Sequence, residues 1–334
     1  MKKQVQVSDR LIGDGEPTFV IAEVGSNHNQ KLQQAKELIE VAAEVGADAV
    51  KFQLFLADIQ YPDGGEWHEA FKAVELDREW VPELAKYSEK CGLIFFSSVF
   101  DTKAVDCMEE VNVPAYKVAS SETTNLPLLK YIASKNKPIL VSTGMCDLAD
   151  VYECIECIKS EGNFDITLFQ CSALYPTDPR HSHLRAMDTL QTVFGFPTGL
   201  SDHTLGIVVP IAAVARGACQ IEKTLTLSRD LHGPDHGYAL EPTEFKAMVE
   251  GIRVVEESLG SSVKRMLPEE AEFVPRSCIR ASKDIDKGIE LTRDDLMFDR
   301  PASTGIRPRF IQAVIGRTTI KPLAKGEEIT WDKI

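Results

Sequence analysis

The sequence predicts a (β/α)8 TIM barrel followed by a small β-rich module. Three observations carry that expectation. Eight short apolar runs rich in Val, Ile and Phe recur, each followed by an amphipathic stretch, over about 260 residues, the usual size of such a barrel. The texture then changes beyond LPEEAEFVPR, Leu267 to Arg276, which has two prolines and no clear period. Charge changes at the same place: from Arg276 to the end 12 Lys and Arg stand against 9 Asp and Glu, net +3, whereas residues 1–275 carry −17 of a total of −14. The expected division is a barrel over residues 1–270, a linker over 271–275 and the module over 276–334.

The eight expected strands are FVIAEVG from Phe19, AVKFQLF from Ala49, LIFFSSVF from Leu93, AYKVAS from Ala115, PILVSTG from Pro138, ITLFQCS from Ile166, PTGLSDH from Pro197 and CQIEKTL from Cys219. After the first, Leu32, Ala35, Leu38, Ile39, Ala42 and Val45 fall at helical spacing with Glu and Lys between them. Further helices are expected around 80–90, 102–110, 126–134, 148–159, 184–193, 207–216 and 243–259. Alternation alone leaves an open doubly wound sheet as the alternative. The absence of GxGxxG after the first strand counts against its dinucleotide-binding form. In the module, two related phrases, DIDKGIELTRDDL and PLAKGEEITWDKI, each place a KG turn before a short strand. About 60 residues is near the lower limit for independent folding, so the module gains by docking on something.

Composition narrows the function. The 334 residues are 43% hydrophobic and 26% charged, ample for a core. A formal charge of −14 would repel a phosphate backbone, which speaks against nucleic acid. The longest apolar runs are far short of a membrane span, and MKKQVQVSDR leads into no signal-peptide core, so no membrane partner and a cytoplasmic location are expected. Eight scattered cysteines suit a reducing compartment. The one CxxC pair, Cys154 and Cys157, lies in a helical pattern and reads as packed thiols rather than a zinc site.

Barrel chemistry sits at the C-terminal ends of the strands. Those ends are polar throughout: Glu23, Lys51 and Gln53, Ser97 and Ser98, Lys117, Ser120 and Glu122, Ser142 and Thr143, Ser172, Ser201 with Asp202 and His203, and Glu222 with Lys223. Barrel strands are apolar on both faces, and a buried Lys costs several kcal/mol unless it meets an anion. Two inward lysines with hydroxyls from other strands point to a phosphate or carboxylate site. The alternative is internal pairing, Lys51 with Glu23 and Lys117 with Glu122. His203 reads equally as a hydrogen-bonded loop residue or a metal ligand. The loop DLHGPDHGYALEP, with His232, Asp235 and His236, follows the eighth strand and is placed to overhang the barrel mouth.

In order along the chain, IAEVGSNHN, AVKFQ, LIFFSSVFD, AYKVASSE, STGM, LYPT, GLSDHT and GPDH resemble the sialic acid synthase (nonulosonic acid synthase) family, and the C-terminal part resembles its antifreeze-like SAF domain. The resemblance implies condensation of phosphoenolpyruvate with an N-acetylated hexose, N-acetylmannosamine or a diacetamido relative, to a nine-carbon 2-keto acid and phosphate. It implies that Lys51, Ser98, Lys117, Ser120, Ser142 and Ser201 hold phosphoenolpyruvate; Ser172, beside Ala173, is expected to supply the polar substrate contact that some members place at position 173. It places Gln53, Glu122, Tyr175 and Asp235 against the sugar and Glu23 close to the reacting carbons, with Glu23 or Glu122 managing protons. Arg300, in DRPASTG, matches an arginine that reaches from one subunit's SAF domain into the other's barrel, implying a domain-exchanged homodimer.

The family's metal histidines are matched at His203, whereas the second position is Thr224. The implied Mn2+ or Mg2+ then needs Glu222, Asp235, His236 or water to complete its shell. Ala173 stands where some members place a polar contact, and the loop after the second strand, LADIQYPDGGEWHEA, looks shorter than in many relatives. Two other readings stay open: a metal-impaired paralogue that binds phosphoenolpyruvate or sugar as a regulatory subunit, and a Schiff-base aldolase with Lys117 as nucleophile.

Overall fold

The computed structural model describes residues 4–273 and 276–334, in two compact units, Met1–Gly260 and Ser261–Ile334. The first unit opens with an antiparallel hairpin, β1 (Gln4–Val7) and β2 (Arg10–Gly13). Eight parallel strands then close into a barrel: β3 (Phe19–Glu23), β4 (Ala49–Leu54), β5 (Ile94–Val99), β6 (Tyr116–Val118), β7 (Ile139–Ser142), β8 (Ile166–Cys171), β9 (Thr198–Asp202) and β10 (Gln220–Thr224). Each strand pairs with its sequence neighbour, and β10 returns to β3. Closure settles the choice against the open sheet, and every expected strand is present.

The helices are α1 (Leu32–Glu44), the short α2 (Ala57–Gln60) and α3 (Glu66–Lys72), α4 (Val81–Lys90), α5 (Thr102–Glu110), α6 (Leu126–Ala133), α7 (Leu148–Ser160), α8 (Ala186–Phe194), α9 (Val208–Ala215) and α10 (Pro242–Leu259). Their starts are encoded locally. Asp101 and Asn125 accept backbone N–H bonds at the first turns of α5 and α6, and Asp147 with Asp150 forms a capping box on α7. Val20, Val50, Val118 and Val141 point outward and pack with Leu38, Leu129 and Ile155 of the helices into one ring-shaped core. Cys154 and Cys157 are buried free thiols on α7, as the helical pattern predicts. Among the described residues no helix is long and apolar enough to cross a membrane.

The lumen holds a second, smaller core. Phe19, Ile21, Ala49, Phe96, Ala115, Leu140 and Phe169 meet Val5, Val7 and Ile12 of the hairpin, which floors the barrel. The sequence reading left this hairpin unassigned. Two strands of four residues give too short a run for period-2 alternation to stand out. Because side chains alternate, the same inward rows that begin apolar at the floor continue upward into Glu23, Lys51, Ser98, Lys117, Ser142 and Glu222.

In the second unit, Pro268–Phe273 forms the short helix α11; the expected linker overlaps its end, and residues 274 and 275 lie outside the described residues. The module carries β11 (Cys278–Ala281), β12 (Leu296–Asp299) and a short helix, α12 (Ile311–Val314). The two related phrases turn out to be equivalent halves. Ile285 and Leu323 exchange reciprocal backbone hydrogen bonds of 2.8 Å, and Gly288 N–H reaches Thr319 as Gly326 N–H reaches Ala281. Both KG glycines adopt left-handed backbone, φ 87° and 83°. Leu291, Leu296, Ile329 and Ile334 of the two halves share one core.

Candidate active site

The upper lumen is a buried charged layer built on strand register. Glu23 lies beside Lys51, Ser98 beside Lys117, and Ser201 beside Glu222. The Lys51 ammonium lies 2.8 Å from Glu23 and donates to Ser98 Oγ at 2.9 Å. The Lys117 ammonium donates to Ser142 Oγ at 2.7 Å and sits 5.1 Å from the centre of the Phe169 ring. Glu222 joins the two, 3.7 Å from Lys51 and 3.4 Å from Lys117, and accepts from Ser201 Oγ at 3.0 Å. Gln53 donates to Glu23 at 2.6 Å.

Internal pairing is therefore half as expected: Lys51 meets Glu23, but the partner of Lys117 is Glu222, not Glu122. Glu122 instead lies in the turn after β6, accepting from Asn125 at 2.8 Å and from Ser121 at 3.2 Å. The role of Glu222 is the main feature the sequence reading missed. Its signal was parity: Gln220, Glu222 and Thr224 share one face of β10, and Gln220 reaches over Gly199 of β9 to Thr167 on β8.

Burial and charge set the protonation balance. Burial pushes the Glu23 carboxyl above its ordinary 4.5; Lys51 opposes this and Glu222 adds to it. Burial would raise Glu222 as well, but Lys117 and Lys51 outweigh it and hold it below the ordinary range. Burial would lower Lys51, yet Glu222 and Glu23 leave it above its usual value. Lys117 is lowered, mainly by burial, with Glu222 opposing and Lys51 repelling its charge. Cys171, on β8, faces the same chamber beside Lys117, Ser120 and Ser201, and burial pushes its thiol up. The sequence reading passed over it as one of eight dispersed cysteines.

The mouth is built from loops. Ser120 Oγ accepts the Gly144 N–H at 3.0 Å, and a Cβ on Gly144 would stand 2.7 Å from that oxygen. The His203 ring lies against Tyr175, centroids 4.3 Å apart, and edge-on to Tyr238 at 6.2 Å. Its Nδ1 meets the Ser172 carbonyl at 2.8 Å; because a carbonyl only accepts, Nδ1 carries the proton and Nε2 is left free. Ser172 thus meets the ring through its backbone carbonyl. Asp235 accepts from Ser26 N–H and Oγ, at 2.9 and 2.7 Å, and from the Tyr238 hydroxyl at 2.8 Å. Gly25, with φ 54°, permits that approach: a Cβ there would lie 2.7 Å from the Asp235 carboxylate.

His236 has both ring nitrogens engaged, with Thr226 at 2.7 Å and Asn29 at 3.1 Å, so it latches the loops after β3 and β10 together instead of offering a lone pair. Thr224 lies against the Tyr238 phenol. Among the described residues no three His, Cys, Asp or Glu side chains are grouped to hold a metal ion. Of the two expected histidines, His203 keeps Nε2 free and His236 does not, and the described residues do not form a cage for Mn2+ or Mg2+. In the second unit Arg300 is exposed, its Nε 3.4 Å from Ser277 Oγ.

Comparison with known proteins gives two family matches, the NeuB family over residues 38–264 and the SAF domain over residues 276–334. The chain is 39% identical to N,N'-diacetyllegionaminic acid synthase of Legionella pneumophila over 96% of both chains. It is 40% identical to an uncharacterized protein of Methanocaldococcus jannaschii over 99% of both. Among solved structures it is similar to the N-acetylneuraminic acid (sialic acid) synthetase of Leptospira borgpetersenii in complex with citrate, with a TM-score of 0.77, 30% identity, and coverage of 81% of this chain and 95% of that one.

Proposed function

The chain belongs to the NeuB family and is a carbon–carbon bond-forming synthase, and from that premise we propose that it condenses phosphoenolpyruvate with an N-acetylated hexose to give a nine-carbon 2-keto sugar acid and phosphate. The observation that carries the reading is the pair of buried lysines, each hydrogen-bonded to a strand-end serine and both held by Glu222. That layer is a preformed anion cradle in which an entering phosphate or carboxylate replaces Glu222 as partner of the ammonium groups.

In the proposed reaction C3 of phosphoenolpyruvate forms a bond to the aldehyde carbon of the open-chain sugar, and C2 becomes oxocarbenium-like. Water adds at C2, and the tetrahedral intermediate loses phosphate by C–O cleavage, the C2 hydroxyl proton leaving as the keto group forms. Lys51, Lys117, Ser98, Ser142 and Ser201 hold the anionic groups, with Ser120 at the rim. Glu23 is the proton carrier: burial raises its carboxyl and favours the protonated form, which gives a proton to the aldehyde oxygen, and the carboxylate left behind takes one from water. Gln53 orients Glu23, while Tyr175, Asp235 and Glu122 line the sugar side. A divalent cation would meet His203; the steps above stand on the chain's own groups. Arg300 is proposed to serve the neighbouring subunit's barrel in a homodimer, which gives the basic module a use.

One specific observation favours the second reading, a partner that binds without condensing: Thr224 leaves His203 without a companion imidazole. A single experiment separates the two. Purified protein is incubated with phosphoenolpyruvate, a panel of N-acetylated hexoses, and Mn2+ or Mg2+, and released phosphate and the mass of the 2-keto acid are measured. Stoichiometric phosphate and keto acid support condensation. Binding of phosphoenolpyruvate with no turnover on any sugar supports the second reading.

A further inference from the structure

We propose that Lys223 and Asp202, on the outer face of the barrel, form a positioning pair that fixes the orientation of His203 at the mouth. Lys223 and Asp202 are register neighbours on β10 and β9, and each follows a residue that points into the lumen, Glu222 and Ser201. They face away from the chemistry, where the helices would be expected to meet an apolar surface. Their side chains are 0% and 2% exposed, and Nζ lies 2.5 Å from Asp202 Oδ2.

Both groups hold the turn that carries His203. Asp202 accepts from Thr204 N–H at 3.2 Å and from Thr204 Oγ1 at 3.0 Å, and the Lys223 ammonium donates to the Thr204 carbonyl at 2.5 Å. The residues on either side of His203 are thereby tied to one ammonium group. The His203 carbonyl accepts from Thr177 N–H at 2.9 Å, and its Nδ1 from the ring meets the Ser172 carbonyl. Backbone and ring are fixed from four directions, while ring Nε2 has no hydrogen-bond partner among the described residues. Burying an ion pair gains little stability over a well-packed apolar pair of the same volume. What an ammonium with fixed acceptors does supply is direction, which apolar packing in its place would not.

The test rests on the condensation reading only for its kinetic arm; the spectroscopic arm stands without it. Full-length protein is prepared with ring-15N histidine, and the His203 signals among the seven histidines are identified by their loss in His203→Gln. The wild type should show a single tautomer with the proton on Nδ1. Lys223→Met and the apolar pair Asp202→Leu/Lys223→Met should show mixed tautomers at His203. In the same variants kcat should fall about 10- to 100-fold, as for other groups that orient a site residue, with the KM for phosphoenolpyruvate unchanged within about twofold. Thr204→Val, which removes one of the turn's side-chain hydrogen bonds, provides a milder variant should the apolar ones not fold, and should shift the tautomer ratio in the same sense. A His203 spectrum unchanged in a folded variant overturns the proposal. If the wild type releases no phosphate with any sugar, the functional reading fails while the tautomer result still decides this one.

Discussion

Lys117 and Glu222 face each other across the barrel at 3.4 Å, on strands as far apart as an eight-stranded barrel allows. Lys51 lies on the other side of Glu222 at 3.7 Å and also meets Glu23 at 2.8 Å, so Glu222 is the carboxylate that the two buried ammonium groups share. Glu222→Gln leaves those groups without that partner. Breaking such a buried pair should cost about 3 kcal/mol or more. The variant should nonetheless bind phosphoenolpyruvate more tightly, because the cradle is then more positive, and saturating ligand should recover part of the loss. Urea unfolding with and without ligand, together with calorimetric titration, checks both. Equal affinity in wild type and variant would show that the entering anion does not take the place of Glu222.

Glu23 sets a pH dependence. Its folded pKa lies above 4.5, chiefly through burial, so the folded protein keeps this proton at pH values where the unfolded chain has lost it. Its contribution to stability is whole below 4.5 and is lost as pH rises through the folded value. Glu23→Gln, which stays neutral, should flatten that decline and be the more stable protein at pH 8, while losing at least 100-fold in kcat as the proton carrier is removed. A series of unfolding curves from pH 4.5 to 8 reads the first effect, and phosphate release the second.

Lys117 is lowered in pKa and buried, which invites comparison with a Schiff-base nucleophile. Its bonds to Ser142 and Glu222 instead direct it at an anion. Treatment with pyruvate and borohydride should leave the protein mass unchanged. A stable adduct on Lys117 would replace the condensation reading with an aldolase one.

Thr224 lies against Tyr238, and the Tyr238 ring is 6.2 Å from His203. Thr224→His should therefore add a second imidazole near the first and tighten Mn2+ binding, measured by electron paramagnetic resonance of the free ion. Unchanged affinity would place the cation elsewhere.

If Arg300 serves the neighbouring subunit, Arg300→Ala and Lys117→Met proteins, each inactive, should complement when mixed. Random reassortment makes half the dimers mixed with one complete site in each, so roughly a quarter of wild-type activity is expected. No recovery in verified mixed dimers would mean that Arg300 works within its own chain or not at all.

The barrel was legible because its strands combine β-branched and aromatic runs with regular amphipathic helices between them, and Thr102–Glu110 shows how closely capping marks an end. The lysine layer was legible for a related reason: charge inside a parallel strand has few structural uses, so Lys51 and Lys117 stood out. Other features were not legible, because they depend on partners far apart in sequence. Glu222 could be placed on an inward face by parity, yet nothing local says that it meets Lys117, 105 residues away. His236 looks like a ligand in isolation and becomes a latch only when Asn29, 207 residues earlier, arrives beside it. The repeated KG phrases were visible as similar strings, but not that each pairs with the other.

The hairpin of β1 and β2 has a consequence for traffic. Val5, Val7 and Ile12 fill the floor and, among the described residues, close the barrel at that end. On the proposed reaction, the anion that rests on the lysines would enter before the sugar seated above it and depart after it. Order of arrival would thus be written into the architecture by ten residues, Gln4–Gly13, that lie at the end farthest from any chemistry.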